Sequence, residues 1–193
     1  GPLTVSATML GWVPAGTMVL RRGAAPGDLV QVSGPIGEGW MSWGSGIGDP
    51  HRLPEPRLDL RTILRAGATA AADISDGLVA DAGHIATASG VGISLALDKT
   101  PLSPAASQWL DDQPDIVAGL LRLATGGDDY EIVCTAPEPL KGFVVVGTVQ
   151  VGAGVSVCAN TGRARARDRA TSAPSGRRRV MGSPELRGRK HRE

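Results

Sequence analysis

With 193 residues, 41% hydrophobic but only 3% aromatic, the chain has room for one full domain with flanking pieces, its core assembled from Ala, Val, Leu and Ile. Two cysteines, Cys134 and Cys158, are too few for a disulfide framework or a zinc site, and no apolar stretch approaches the ~18 residues of a membrane span. The net charge of +1 hides a division: residues 1–158 carry nine Lys and Arg against sixteen Asp and Glu, while residues 159–193 carry eleven against three, so only the second block would attract nucleic acid by charge.

In chain order, "PLTVSATMLGWV" is a β-rich run with imperfect alternation, as expected of a strand buried on both faces. "RRGAAPGDLVQVSG" predicts a turn at Pro26-Gly27-Asp28 and a short strand ending at Gly34. "PIGEGWMSWGSGIGDPHRLPEP", rich in glycine and proline and without a sustained period, is expected to be a long loop. "PRLDLRTILRAG" predicts a helix with Leu58, Ile63 and Leu64 as its apolar stripe and Gly67 as its stop. "TAAAD" is a small-residue strand, followed by a helix from about Gly77 to Ser89 capped by Ser75 or Asp76, with Leu78, Ala82 and Ile85 facing inward. The strand "GVGISLAL" closes on Asp98, and two short helices follow in "SPAASQWLDD" and "DIVAGLLRLA". A glycine turn leads "TGGDDYEIVCTAP" into a strand, and "KGFVVVGTVQVG" is another. This order indicates an α+β domain, helices packed on a mixed sheet.

Two acidic clusters stand out. Asp73 ends a strand while Ser75 and Asp76 open a helix, where a carboxylate is favoured for capping alone. Asp128, Asp129 and Glu131 follow Gly126-Gly127, where backbone can approach a ligand closely. Either the acids are caps and turn residues, or the two clusters share a hard cation; oxygen-only ligation suits Mg²⁺ held by one or two carboxylates plus substrate phosphates. His84 reads as a packing or solvent-facing residue, and none of the four tryptophans is singled out as a ring-stacking partner.

"DISDGLVADAGHIATASGVG", "LALDKTPLS" and "TGGDDYEIVCTAP", in that order, resemble the C-terminal domain of the thiamine-monophosphate kinases. These enzymes belong to the superfamily that also holds aminoimidazole ribonucleotide synthetase and selenophosphate synthetase. "GPLTVSATMLGWVPAGTMVLRRGAAPGDLVQVSGPIG" and "RLPEPRLDL" are similar to the same family, so the resemblance covers roughly Gly1 to Val157. It implies transfer of the γ-phosphoryl of ATP onto thiamine phosphate, giving thiamine diphosphate and ADP, with Mg²⁺ as cofactor and ATP as co-substrate. By matching position it implies Asp73 and Asp76 as magnesium ligands, Ser75 and Arg21 as ATP contacts, and Asp128 as a contact to thiamine phosphate. Such chemistry requires positioning and charge neutralisation rather than a nucleophilic side chain, because the acceptor phosphate itself attacks. The resemblance further implies a homodimer as in the family; with no apolar span and no visible signal peptide, a soluble cytoplasmic protein without a membrane partner is the default expectation, and a nucleic-acid partner is not expected.

The chain departs from the family pattern in three places. It opens without a methionine, downstream of the family's acidic "GGDT"-type motif; the segment between "SGPIGEG" and "RLPEPR" is shorter than the family's; and the family's "DHF"-type ending is absent. The expected organisation is therefore residues 1–15 as the last strand of an upstream ATP-binding domain, 16–158 as the α+β domain, and 159–193 as a basic, disordered tail. Out-of-frame translation of a GC-rich gene accounts for such a tail; a nucleic-acid-binding arm is the rival. A non-catalytic remnant or interaction module, and a related ATP-dependent synthetase or kinase of the superfamily, are the alternatives to the thiamine-phosphate kinase.

Overall fold

The computed structural model describes residues 2–44 and 55–159. The tail from residue 160 onward, and most of the segment that is shorter than the family's, lie outside the described residues.

Among the described residues, six strands form one mixed sheet in the order β2-β4-β1-β5-β3-β6. They are β1 (Leu29–Val32), β2 (Ala70–Asp73), β3 (Gly92–Ala96), β4 (Ile132–Ala136), β5 (Val144–Gln150) and β6 (Gly154–Cys158). Neighbours run antiparallel except β3 and β6, which are parallel. The helices are α1 (Glu38–Gly44), α2 (Arg61–Gly67), α3 (Leu78–Ser89), α4 (Pro104–Asp111) and α5 (Ile116–Ala124). This is the α+β architecture that the sequence predicts.

Register explains the core. Val30 and Val32 of β1 face Thr135 and Val133 of β4, and Ala70 and Ala72 of β2 face the same two residues from the other side. With the period-2 pleat, these side chains share one face. Onto it pack Leu78, Ala82 and Ile85 of α3, each fully buried, together with Leu120 and Ala124 of α5. The small side chains of β2 let α3 approach closely. On the opposite face, Gln31 is buried because both ends of its amide are used: Nε2 donates to Glu138 O at 3.0 Å, and Oε1 accepts from Leu140 N at 2.8 Å. A buried polar side chain is tolerated when so paired.

Four expectations are corrected. Residues 38–44, read as loop, form α1; Gly37 at φ 93° turns the chain into it, where only glycine sits without strain. The run at residues 2–13 pairs with no strand among the described residues, and Leu3, Val5, Met9, Leu10 and Trp12 lie exposed. Leu58 is exposed, and Leu60 takes its place as the buried residue before α2. Finally, β6 was not anticipated: its residues are mostly exposed, and it is held as an edge strand by parallel pairing of Val155 with Ile93 and Val157 with Leu95.

Candidate functional site

Antiparallel pairing of β2 with β4 sets Asp73 opposite Ile132. The chain that leaves β2 therefore runs beside the chain that enters β4. Three backbone bonds extend the pairing beyond the strands: Ile74 N donates to Glu131 O at 2.8 Å, Tyr130 N to Ile74 O at 2.8 Å, and Asp128 N to Ser75 O at 2.9 Å. The DISD turn and the GGDDYE turn are thereby bonded side by side. Gly127 makes the approach possible: its φ is 74°, and a Cβ there would come within 2.6 Å of Ser75 O.

On the outer surface of this junction, Asp73, Asp76 and Asp128 are exposed. Arg21 reaches the site because Leu20 O accepts from Ala71 N at 2.9 Å, laying the 20–21 segment along β2. Its Nη2 lies 3.6 Å from Asp73 Oδ1. Asp76 Oδ2 lies 3.5 Å from His84 Nε2. The Tyr130 hydroxyl donates to Asp128 Oδ1 at 2.9 Å, and that bond to a carboxylate raises the phenol above its ordinary range. Arg21, Asp73, Ser75, Asp76 and Asp128 are thus gathered along one joined pair of turns.

The remaining acids turn inward. Asp129 and Glu131 are buried while Asp128 and Tyr130 are exposed. Asp129 accepts from Gly37 N at 2.9 Å and Gly39 N at 3.2 Å, so its carboxylate sits at the start of α1. Burial outweighs those bonds and lifts its pKa to about 6. Glu131 takes Arg57 in a forked pair at 2.8 and 2.6 Å and the Ser33 hydroxyl at 2.6 Å. Both belong to the framework rather than to the open surface.

Residues 25–157 match the family described as AIR synthase related protein, C-terminal domain. The chain belongs to this family. It is 54% identical over 144 residues to the thiamine-monophosphate kinase of Caulobacter vibrioides, a match that covers 69% of this chain and 41% of that protein. A thiamine-monophosphate kinase structure from Stenotrophomonas maltophilia K279a superposes with a TM-score of 0.64 at 31% identity, over 75% of this chain and 54% of its own. A structure described as AaThiL complexed with AMPPCP and TMP aligns with a TM-score of 0.60 at 32% identity, over 72% of this chain and 50% of its own. The chain spans about half the length of the curated relatives it matches.

Within this AIR synthase-related domain, the cap expected from Ser75 or Asp76 is replaced by another residue. Gly77 occupies the cap position of α3 without a side-chain bond. Asp81, one turn into the helix, reaches back so that its Oδ2 accepts from Ser75 N and Asp76 N, both at 3.0 Å. Burial raises its pKa despite these donors. Asp81 escaped the sequence reading because its spacing from the turn matches no local capping signature. His84, read as packing or solvent-facing, is exposed and stands against Asp76. Its place one turn beyond Asp81 was the available signal.

Proposed function

We propose that the chain supplies the C-terminal part of a thiamine-phosphate kinase, moving the γ-phosphoryl of ATP onto thiamine phosphate in the cytoplasm. The observation that carries this reading is the joining of the two acidic turns by the Asp128 N to Ser75 O bond. Membership of the AIR synthase-related family and the likeness to a relative complexed with AMPPCP and TMP support it.

The donor set fits Mg²⁺: exposed carboxylates on Asp73 and Asp76 offer hard oxygen ligands at a solvent-open strand end. Asp73 and Asp76 would hold the ion, which when bound neutralises charge on phosphate oxygens. Arg21 presents a guanidinium fork beside Asp73 and is suited to grip phosphate oxygens in a bidentate manner. Ser75, between the two aspartates, offers a hydroxyl to the nucleotide. Asp128 places a carboxylate where the cationic thiazolium of thiamine phosphate would be matched in charge. Tyr130 orients that carboxylate through its hydroxyl.

Titration calorimetry of ATP and of thiamine phosphate, with and without Mg²⁺, tests the assignment. Mg²⁺ is expected to strengthen ATP binding, Asp73→Asn and Asp76→Asn to abolish that gain, and Asp128→Asn to weaken thiamine phosphate alone. ATP affinity that ignores both Mg²⁺ and the two substitutions would overturn it. With ATP, Mg²⁺ and thiamine phosphate together, this chain alone is expected to give little turnover, because one ion held by two carboxylates, with one guanidinium, leaves much of the phosphate charge unmatched.

A further inference from the structure

We infer that Asp76, Asp81 and His84 form a binding site for a late first-row divalent cation, of the Zn²⁺ or Co²⁺ class, that fills without nucleotide. Each residue offers one ligand atom, and the three atoms lie within 4.8 Å of one another. Asp81 and His84 sit three apart on α3, so their side chains share one helix face. Asp76 comes to them from the turn before the helix, its Oδ2 already 3.5 Å from His84 Nε2.

A separate observation concerns Asp81 itself. Its side chain is 1% exposed, and although Oδ2 accepts two backbone N–H groups, Oδ1 is buried with no hydrogen-bond partner. A buried carboxylate oxygen left unpaired is costly, and a cation held by the same carboxylate would offset that cost. Because Asp76 and His84 are exposed, an ion has an open path to the cluster.

The donor types select the ion. Two carboxylate oxygens alone would favour Mg²⁺, but an imidazole nitrogen shifts preference toward Zn²⁺, Co²⁺ and Ni²⁺. Three protein ligands leave a position for water, the pattern of open zinc sites. The site differs from the magnesium role proposed above in lacking Asp73 and in using imidazole, and it stands whether or not the chain takes part in phosphoryl transfer. Both uses draw on Asp76, so an ion held here would compete with nucleotide-bound Mg²⁺ for that carboxylate.

The test is Co²⁺ titrated into the full chain without nucleotide, followed by visible absorption and calorimetry. One equivalent is expected to bind. His84→Ala, at an exposed helix position that leaves the circular dichroism unchanged, is expected to weaken binding by at least about tenfold, the scale on which even outer-sphere partners matter. Asp76→Asn is expected to do the same, and Asp73→Asn to weaken binding far less than either. Absence of binding would overturn the site, as would affinity indifferent to His84→Ala. Dependence on His51 or His191 instead, or a thiolate charge-transfer band from Cys158, would overturn it equally.

Discussion

The stretches 73–81 and 128–131 carry six carboxylates, and each stretch divides its own between solvent and interior. Asp73, Asp76 and Asp128 stand outside, meeting Arg21, His84 and Tyr130 through single contacts at 2.9–3.6 Å. Asp81, Asp129 and Glu131 are buried, and between them they hold Ser75 N, Asp76 N, Gly37 N, Gly39 N, Ser33 and Arg57. Asp129 and Glu131 are already committed to backbone, a hydroxyl and a guanidinium, and Asp81 commits Oδ2 to two backbone N–H groups while its Oδ1 stays unpaired. The outer acids retain oxygens for a ligand. A run of acids in a sequence therefore says little about chemistry until burial separates its members.

The sharpest way to break this contrast is at Glu131. Replacing it with Ala leaves the partly buried Arg57 guanidinium without its forked acceptor, and urea unfolding is expected to show a loss of about 3 kcal/mol. A loss under about 1 kcal/mol would place Glu131 with the outer acids.

Asp129 should reveal itself through pH. Its folded-state pKa is raised from 3.8 to about 6, so the folded chain binds this proton more tightly than the unfolded chain does. Its effect on stability is thus most favourable at low pH and is lost as pH rises from about 4 through about 6, by an amount on the order of 3 kcal/mol. Asp129→Asn is expected to flatten that part of the pH–stability curve, measured as denaturation midpoints between pH 4 and 7.5. An unchanged curve would refute the burial argument.

A smaller effect is expected at Gly127, which joins the two turns. Alanine there must adopt φ near 74° and crowd Ser75 O, at a cost of about 1–3 kcal/mol. Thiamine phosphate affinity should fall with it, because Asp128 follows directly. The least effect on stability belongs to Asp73→Asn and Asp76→Asn, within about 0.5 kcal/mol in urea, although these two are the substitutions expected to remove Mg²⁺-assisted ATP binding. Destabilisation by either beyond about 1.5 kcal/mol would mean that the outer acids also serve the framework.

Local pattern was enough for the elements that carry their own signals. Leu78, Ala82 and Ile85 announced the buried face of α3, and the two short helices predicted in the 103–124 stretch are α4 and α5. What stayed hidden depends on distant partners. The start of α1 is held by Asp129, some 90 residues away, so its glycines read as loop. The exposed residues of β6 look like coil until β3 is beside them. At the candidate site, family resemblance singled out Asp73, Asp76 and Asp128, and the structure places all three exposed on the joined turns. Spacing left capping and metal binding open, because the β2–β4 register that joins the turns is not written in either turn. The roles of Asp81 and His84 rest on helix geometry combined with burial, and burial is a property of the folded chain alone.

Gly127, Asp128 and Tyr130 all occupy the left-handed region, at φ 74°, 58° and 53°. Aspartate and asparagine tolerate that conformation far better than most side chains, whereas tyrosine does so at a penalty. The backbone thus narrows the alphabet at position 128 before any ligand is considered. Asparagine is the replacement that removes the charge while respecting the turn. Glutamate, identical in charge, would change both reach and conformational preference, so an apparently gentle exchange there would perturb more than a neutralising one.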